Sequence, residues 1–516
     1  MSSLTAWVSL RKSSFVGWSQ LLRSRFLVVA ASATGVSAGI QLLAFVRQAM
    51  IAAFFGVGHD LEFYVMAYAA ATYIAFTFGA IYDSVVVSRL VRVREDAGTE
   101  AARALAAALL RLSFCIAAAA SVLLLVLTPL LAPVIATGFG PNEWPELTRL
   151  AWYFVPWIIT YLPYYAIAAW HKAQWRFKRT FAAEIVVIVT SIAALTIWHA
   201  DIRTLPLAYA GGYVAGLMCL LPGSALVGCR SKSSVSSLRD ALRNIGEFFL
   251  TNQTGSIAGL VDRHIQSFVP PGGVAAINYS SQLINNVSSL LLLREAFIVP
   301  LAQQENRTDR LERLMSGLMF VAVPLAGIIT CFAPEIVQIL FQRGRFDAAA
   351  TTLTATALRI NAMALLVAPI LPPLCRMLQI ADRINFTHIM FLTMAASSAL
   401  FGYVLVLWLG LGVRGVALMQ LISSVTACIV MAWLVARCGI TLRWRTILGY
   451  LLFAAVATGA ASLVALAATS PLANPWPRLL TGGAVFVCVV AGLYFPARSQ
   501  LRAIIFGTAS NKSLSL

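Results

Sequence analysis

Three arginines lie inside long apolar runs of this sequence: Arg47, Arg263 and Arg359. A charged side chain at the centre of a bilayer costs about 2.5 to 3.5 kcal/mol on insertion scales, so each arginine is expected to face protein or a water-filled cavity. The planar guanidinium group donates paired, charge-assisted hydrogen bonds to phosphate oxygens. Acidic residues inside the same runs are fewer than the arginines would need as partners. We therefore favour a cationic cavity that binds a phosphate or pyrophosphate over a set of structural ion pairs.

The composition excludes most classes of enzyme. The chain has 516 residues, of which 60% are hydrophobic and 11% charged, with a mean hydropathy of +0.82, whereas about a quarter of the residues of a soluble chain are charged. This composition predicts a polytopic membrane protein with little length left for a soluble domain. There is no G-x-x-x-x-G-K-[ST] loop and no His/Cys cluster with metal-ligand spacing. We therefore expect no enzymatic activity, no metal and no bound cofactor.

Fourteen apolar runs are long enough to cross a bilayer, and none shows the alternation of a β-strand. The predicted fold is thus an all-α integral membrane protein with 14 transmembrane helices. The runs are Phe26–Phe55, Phe63–Val87, Leu112–Ala136, Leu150–Trp170, Phe181–Trp198, Leu205–Val227, Ile245–Val269, Val274–Leu301, Leu314–Phe332, Leu353–Cys375, Phe386–Leu409, Val413–Val435, Ile447–Ala468 and Leu479–Phe495.

The distribution of basic residues supports this count. The two termini and every second loop together hold 28 of the 38 Lys and Arg residues, whereas the opposite loops hold five. Basic residues collect on the cytoplasmic side of a membrane protein, so both termini are predicted to be cytoplasmic. The same rule explains the formal charge of +18 without a nucleic-acid partner.

The longest polar break between spans, residues 229–244, separates six spans from eight. It predicts a cytoplasmic linker between an N-terminal six-helix lobe, residues 26–228, and a C-terminal six-helix lobe, residues 245–436. Two additional helices follow in residues 437–498. Residues 1–25 and 499–516 are predicted to be a basic cytoplasmic N-terminus and a cytoplasmic tail.

Several motifs resemble those of the MurJ (MviN) lipid II flippases of the MOP exporter superfamily. They are Phe45-Val46-Arg47-Gln48-Ala49 with Phe55-Gly56-Val57-Gly58, Val261-Asp262-Arg263, the segment GVAAINYSSQL from Gly273 to Leu283, Phe341-Gln342-Arg343-Gly344-Arg345-Phe346-Asp347, and the glycine-rich turn from Gly410 to Ala417. The similarity extends over roughly residues 26–436. It implies two six-helix lobes around a central cavity. By alternating access, the protein would move a polyprenyl-pyrophosphate-linked sugar from the inner to the outer leaflet of a bacterial inner membrane.

The resemblance also identifies where this chain departs from the family. Arg47 matches a cavity arginine, and the family's acidic residue after F-G-x-G corresponds to Glu62. Other arginines of the family fall on Gln41 and Gln282, which form hydrogen bonds without carrying a charge. We therefore expect a different headgroup from that of lipid II, such as the repeat unit of an exopolysaccharide or capsule, with lipid II itself as the second choice.

These arguments assign roles to eight residues. Arg47, Arg263 and Arg359 are expected to contact the pyrophosphate. Gln41, Gln282 and Asn285 are expected to contact sugar or phosphate oxygens. Asp262 and Glu62 are candidate groups for proton or sodium coupling, with the membrane potential as another driving force. The expected partners are the glycan lipid, the membrane, and a glycan polymerase or other assembly proteins.

Two other functions remain open at this stage. A cation-coupled multidrug or small-molecule antiporter of the same superfamily should expose carboxylates to its substrate, whereas the central spans here carry more arginine than acid. A non-transporting scaffold of a polysaccharide assembly complex would fit the absence of the family's arginines at Gln41 and Gln282.

Asp83 and Glu184 lie near predicted cytoplasmic ends of spans, and we interpret them as residues that reach the lipid headgroups.

Overall fold

A computed structural model describes residues 36, 39–199, 201–226, 235–292, 307–380 and 385–495, and every regular element among them is helical. The α-helices in chain order are α1 (Gly39–Phe55), α2 (His59–Ile81), α3 (Val87–Ile135), α4 (Trp144–Trp152), α5 (Val155–Ala173), α6 (Phe177–Ile197), α7 (Thr204–Leu220), α8 (Val235–Gln266), α9 (Gly273–Leu292), α10 (Arg307–Cys331), α11 (Ala333–Phe341), α12 (Ala348–Asn361), α13 (Leu371–Ile380), α14 (Asn385–Gly402), α15 (Gly412–Arg437), α16 (Trp444–Thr469) and α17 (Pro475–Tyr494).

The all-helical membrane architecture is confirmed. Within the described ranges, eight helical segments are long and apolar enough to cross a membrane, and two shorter apolar helices are α1 and α7. The count of fourteen spans and the division into two lobes stay predictions, and the lobes are named below by their predicted ranges. Residues 1–25 and 499–516 lie outside the described residues, as do residues 229–234 of the predicted linker. The rest of that linker belongs to α8, which begins at Val235.

Some predicted spans and loops have a different local structure. Helix α3 has 49 residues, about 74 Å at 1.5 Å per residue, which is more than twice the thickness of a bilayer core. It leaves helical geometry at Gly98, where φ is +85°, so the predicted basic loop before the third span is mostly helical. A π-helical turn at Tyr82–Val86 connects α2 to α3.

Two segments of the C-terminal lobe also differ from their predicted local structure. The predicted tenth span is broken, because α12 ends at Asn361 and a 3₁₀ turn, Ala362–Leu366, precedes α13. The segment before α12 is expected from the sequence to be a loop on the outer side, but it forms the short helix α11. Pro334 lies in the first turn of this helix, a position that tolerates the missing N–H of proline.

The last two helices pack against the C-terminal lobe. Phe486 of α17 and Ala461 of α16 share a buried cluster with Phe332, which lies between α10 and α11. An ion pair joins Arg478 Nε to Glu335 Oε1 at 3.1 Å. Helices α16 and α17 are thus attached by both apolar packing and charge.

Candidate functional site

Arg47, on α1, lies in a cluster of tyrosines. Its guanidinium carbon lies 4.4 Å from the centre of the Tyr209 ring, a distance typical of a cation–π contact. Tyr64, Tyr68 and Tyr213 also interact electrostatically with it. The Nε atom of Arg47 is buried and has no hydrogen-bond acceptor among the described residues. It is therefore a donor that a ligand oxygen could satisfy.

The tyrosines come from three helices of the N-terminal lobe. Tyr64 and Tyr68 are four residues apart on α2, as Tyr209 and Tyr213 are on α7, so each pair lies on one face of its helix. Helix α5 contributes the rest of the cluster. The cluster contains seven tyrosines, half of the 14 in the chain. They are Tyr64, Tyr68, Tyr161, Tyr164, Tyr165, Tyr209 and Tyr213. The sequence analysis missed this cluster, although the spacing of the two pairs was a visible signal.

Arg263 and Asp262, neighbours on α8, have different surroundings. Arg263 donates from Nη1 to Gln266 Oε1 at 2.7 Å and interacts electrostatically with Tyr68, as Arg47 also does. Asp262 instead interacts with Ser398 of α14 and Gln420 of α15, and its Oδ1 is buried with no partner among the described residues. Two of the three predicted arginines, Arg47 and Arg263, thus interact with the same tyrosine, Tyr68.

The other predicted contact residues lie on α1, α9 and α12. Gln41 is half-buried on α1, as is Gln282 on α9, and Asn285 is exposed one turn further along α9. Arg359 is exposed near the end of α12, where its carbonyl oxygen accepts a hydrogen bond from Thr330 Oγ1 at 3.3 Å. The roles of these four residues stay predictions.

Hydrogen bonds join the two predicted lobes at the end that the charge pattern places outside. The Arg345 N–H donates to Ala53 O at 2.9 Å, the Tyr279 hydroxyl to Gly56 O at 3.1 Å, and the Gly138 N–H to Ser267 Oγ at 3.0 Å. His264 Nδ1 lies 2.6 Å from Val134 O. Together with the Glu62 contact described next, we call these contacts the outer closure.

Glu62 belongs to the first turn of α2 and is buried, with a relative exposure of 1%. Its Oε1 accepts a hydrogen bond from the Val274 N–H at 2.9 Å, in the first turn of α9. A carboxylate at a helix N-terminus satisfies a free backbone donor and opposes the positive end of the helix dipole. His59 lies 3.7 Å from the same carboxylate and 2.9 Å from Glu143. Glu62 therefore connects the two lobes, and its role in ion coupling stays a prediction.

Two glycines of the motifs allow the backbones to approach at the outer closure. Gly56 has a φ of +63° and Gly344 a φ of +58°, which favour glycine. A Cβ at Gly56 would clash with the Arg345 carbonyl oxygen, and a Cβ at Gly344 with that of Ala53. The motifs F-G-x-G and R-G-x-F-D thus supply the two halves of one contact.

Comparisons with known proteins agree with this architecture. The family model for "Lipid II flippase MurJ" matches residues 51–480. A probable lipid II flippase MurJ of Thermotoga maritima is 21% identical over 284 residues, which are 54% of this chain and 58% of that protein's length. The chain thus matches little more than half the length of this relative.

Solved structures show the same fold at low identity. A lipid II flippase MurJ in an inward closed conformation has a TM-score of 0.73 and 15% identity, with 92% of this chain and 100% of that chain covered. An outward-facing multidrug resistance MATE family transporter of the MOP superfamily has a TM-score of 0.57 and 18% identity, covering 80% and 95%. This multi-span membrane protein belongs to the MurJ lipid II flippase family.

Proposed function

We propose that this protein is a flippase that moves a polyprenyl-pyrophosphate-linked glycan from the cytoplasmic to the periplasmic leaflet of a bacterial inner membrane by alternating access. Membership of the MurJ family and the helices suited to crossing a membrane support this proposal. The family and its structural neighbours are transporters and not enzymes.

The environment of Arg47 is the observation that carries the proposal. Leaving a buried donor without an acceptor costs about 1 to 3 kcal/mol, and the Nε of Arg47 has no acceptor among the described residues. Tyr209 contacts the guanidinium group through the face of its ring, and the edge of a guanidinium group carries the N–H groups that form a bidentate bond to phosphate. Arg263, which interacts with the same Tyr68, supplies a second charge for the pyrophosphate. Arg359 is a third candidate contact.

The outer closure corresponds to one state of the proposed alternating access. With the predicted periplasmic ends of the lobes joined, substrate would enter from the cytoplasmic side, and breaking these contacts would release it outside. The relative in the inward closed conformation has the same fold.

The choice of glycan rests on uncharged groups. Helix α9 has no charged residue between Gly273 and Leu292, and it carries both Gln282 and Asn285. Amide groups such as these and that of Gln41 form hydrogen bonds with sugar hydroxyls and do not neutralise acidic groups. We propose an exopolysaccharide or capsule repeat as the cargo, with lipid II as the alternative. A glycan polymerase or assembly protein would then receive it.

Asp262 is the proposed ion-coupling group. One of its carboxylate oxygens is buried and has no partner in the part of the chain that the structure describes, beside the polar side chains of Ser398 and Gln420. A proton or a sodium ion bound there would satisfy that oxygen.

Replacing Arg47 tests the function. Loss of two charge-assisted hydrogen bonds, each worth about 1.5 to 3 kcal/mol, should reduce flipping of a labelled polyprenyl-pyrophosphate disaccharide in proteoliposomes by at least about a hundredfold in Arg47→Ala. The matched control is Arg437→Ala, because Arg437 also lies over an aromatic ring, that of Trp433, at 3.9 Å. Equal flipping by the two variants at equal amounts of folded protein would refute the proposal.

The cargo is identified by a second measurement. Lipids extracted from a strain depleted of this protein should contain the accumulated polyprenyl intermediate. Wild-type protein that moves no lipid in proteoliposomes would favour the scaffold, and export of an organic cation with no effect on lipid would favour the antiporter.

A further inference from the structure

The turn between α5 and α6 contains an exposed tryptophan in an unfavourable backbone conformation. Trp175 has a φ of +61°, in a region that glycine adopts freely and that residues with a side chain rarely adopt. The residue is nevertheless 72% exposed. Its ring lies 5.9 Å from the ring of Phe177, which is also exposed. Two large aromatic side chains therefore project from a turn whose geometry favours glycine.

The segment that follows α7 faces this turn and is strained as well. Ala225 has a φ of +52°, and in the part of the chain that the structure describes, Trp175 and Ala225 are the two residues other than glycine with a positive φ. Four side chains of residues 170–179 donate hydrogen bonds to backbone carbonyl oxygens of residues 220–224. The bonds run from Trp170 Nε1 to Ser224 O at 2.8 Å, from His171 Nε2 to Leu220 O at 2.9 Å, from Arg176 Nη1 to Gly223 O at 3.0 Å and from Arg179 Nη1 to Pro222 O at 2.8 Å. Backbone strain that the surrounding contacts hold in place is frequent at sites that bind ligands.

The turn is strongly basic. Residues 170–180 contain four basic residues and no acidic residue. Among the described residues, Lys172 is the one of these four that pairs with a carboxylate, that of Asp83 at 2.7 Å. The acceptors of Arg176 and Arg179 are uncharged carbonyl groups, and Lys178 is exposed. Three positive charges therefore surround the two aromatic rings without being neutralised.

The length of α6 sets the depth of the turn in the membrane. The helix has 21 residues and is one of the segments able to cross a bilayer, and its length of about 32 Å matches a bilayer core of about 30 Å. It begins at Phe177, at the end that the charge pattern places in the cytoplasm. The turn therefore lies at the level of the cytoplasmic headgroups, where tryptophan is enriched and anionic lipids attract basic side chains.

We propose that residues 175–179, which we call the turn surface, bind the headgroups of anionic phospholipids in the cytoplasmic leaflet. The rings of Trp175 and Phe177 lie at the boundary between headgroups and acyl chains, and the three basic side chains contact the lipid phosphate. Tyr209, which contacts Arg47, precedes Leu220 by about 16 Å along α7. The turn surface is thus separate from the proposed pyrophosphate site, and this inference does not rest on the proposed function.

The test uses brominated lipids, which quench the fluorescence of a tryptophan that they contact. Full-length protein is reconstituted in phosphatidylcholine nanodiscs that contain a varied fraction of brominated phosphatidylglycerol or of brominated phosphatidylcholine. The contribution of Trp175 is the difference between the wild type and Trp175→Phe. We expect half-maximal quenching of this contribution at a fraction of phosphatidylglycerol at least about fivefold lower than that of phosphatidylcholine, which is the preference supplied by one basic residue near an anionic surface. Equal fractions for the two lipids would overturn the proposal.

A charge variant tests the basic side chains. Lys178→Gln should lose about fivefold of the preference for phosphatidylglycerol. The matched control is Arg414→Gln, an exposed basic residue at the predicted outer end of α15, which should keep the wild-type preference. An unchanged preference in Lys178→Gln would overturn the proposal. Quenching by a brominated polyprenyl pyrophosphate but not by phosphatidylglycerol would also overturn it, in favour of an entry site for the transported lipid.

Replacing the tryptophan by glycine separates binding from folding. Because glycine fits a φ of +61°, Trp175→Gly should not lower the melting temperature, whereas it should reduce the phosphatidylglycerol retained by the purified protein, measured by native mass spectrometry. The control is Trp198→Gly at the other end of α6, where Trp198 is 63% exposed, and it should retain phosphatidylglycerol as the wild type does. Wild-type retention in Trp175→Gly with a lower melting temperature would assign the ring a purely structural role and overturn the proposal. None of these measurements depends on flipping, so a failure of the proposed function would leave their result unaffected.

Discussion

Replacing Glu62 should open the outer end of the molecule. Its carboxylate is buried and accepts the Val274 N–H from the opposite predicted lobe, so this bond exists only while the lobes are joined. Glu62→Gln keeps an acceptor oxygen but loses the charge that opposes the dipole of α9. Glu62→Ala loses both the charge and the hydrogen bond.

The two variants should differ in size of effect. Loss of the charge at a helix N-terminus costs about 1 kcal/mol, which shifts the closed-to-open ratio about fivefold. Loss of a hydrogen bond to a charged group costs about 1.5 to 3 kcal/mol, which shifts that ratio about 10- to 150-fold. The expected order of closed population is therefore wild type, then Gln, then Ala.

The assay is a distance distribution between spin labels on the two predicted lobes, measured by pulsed electron paramagnetic resonance. Suitable positions are the exposed Asn142 and Arg343, each replaced by cysteine after the native cysteines have been removed. Glu146→Gln, an exposed carboxylate on α4, is the matched control and should leave the distribution unchanged. A distribution in Glu62→Ala that matches the wild type would refute the assignment of Glu62 to the outer closure.

Three further predictions concern Gly344 of the outer closure, Asp262 on α8 and Arg478 on α17. Gly344→Ala should also populate the open state, because the added Cβ would clash with the Ala53 carbonyl oxygen of α1. Gly410→Ala is the control, since Gly410 also has a positive φ but a Cβ there would meet open space. Equal distance distributions for the two variants would contradict the prediction. Asp262→Asn should abolish the dependence of flipping on a sodium or proton gradient, and a retained dependence would remove it as the coupling group. Arg478→Ala should leave the buried Glu335 carboxylate unpaired and lower the stability by about 1 to 3 kcal/mol, visible as a lower melting temperature; an unchanged melting temperature would show that the ion pair does not anchor α17.

The sequence alone determined the class of protein and the position of its costly charges. Hydropathy and the exclusion of unsatisfied backbone from lipid act locally along the chain, so they predict helices and identify Arg47 and Arg263 as unusual without any tertiary information. The motifs with glycines were also visible, and the structure explains two of them as close backbone contacts. The predicted loop before the third span was wrong in detail, because a helix can continue through a basic segment until a residue such as Gly98 leaves helical geometry.

The tertiary structure decided how distant residues combine. Glu62 faces the N-terminus of a helix more than two hundred positions away in the chain, and the tyrosines of α2 and α7 meet around one guanidinium group. Local patterns carry no information on such pairings, because the pairings depend on which helix faces pack together. Asp262 and Arg263 are neighbours in the sequence, and only the packing of the helices directs Asp262 toward α14 and α15 and Arg263 toward Tyr68.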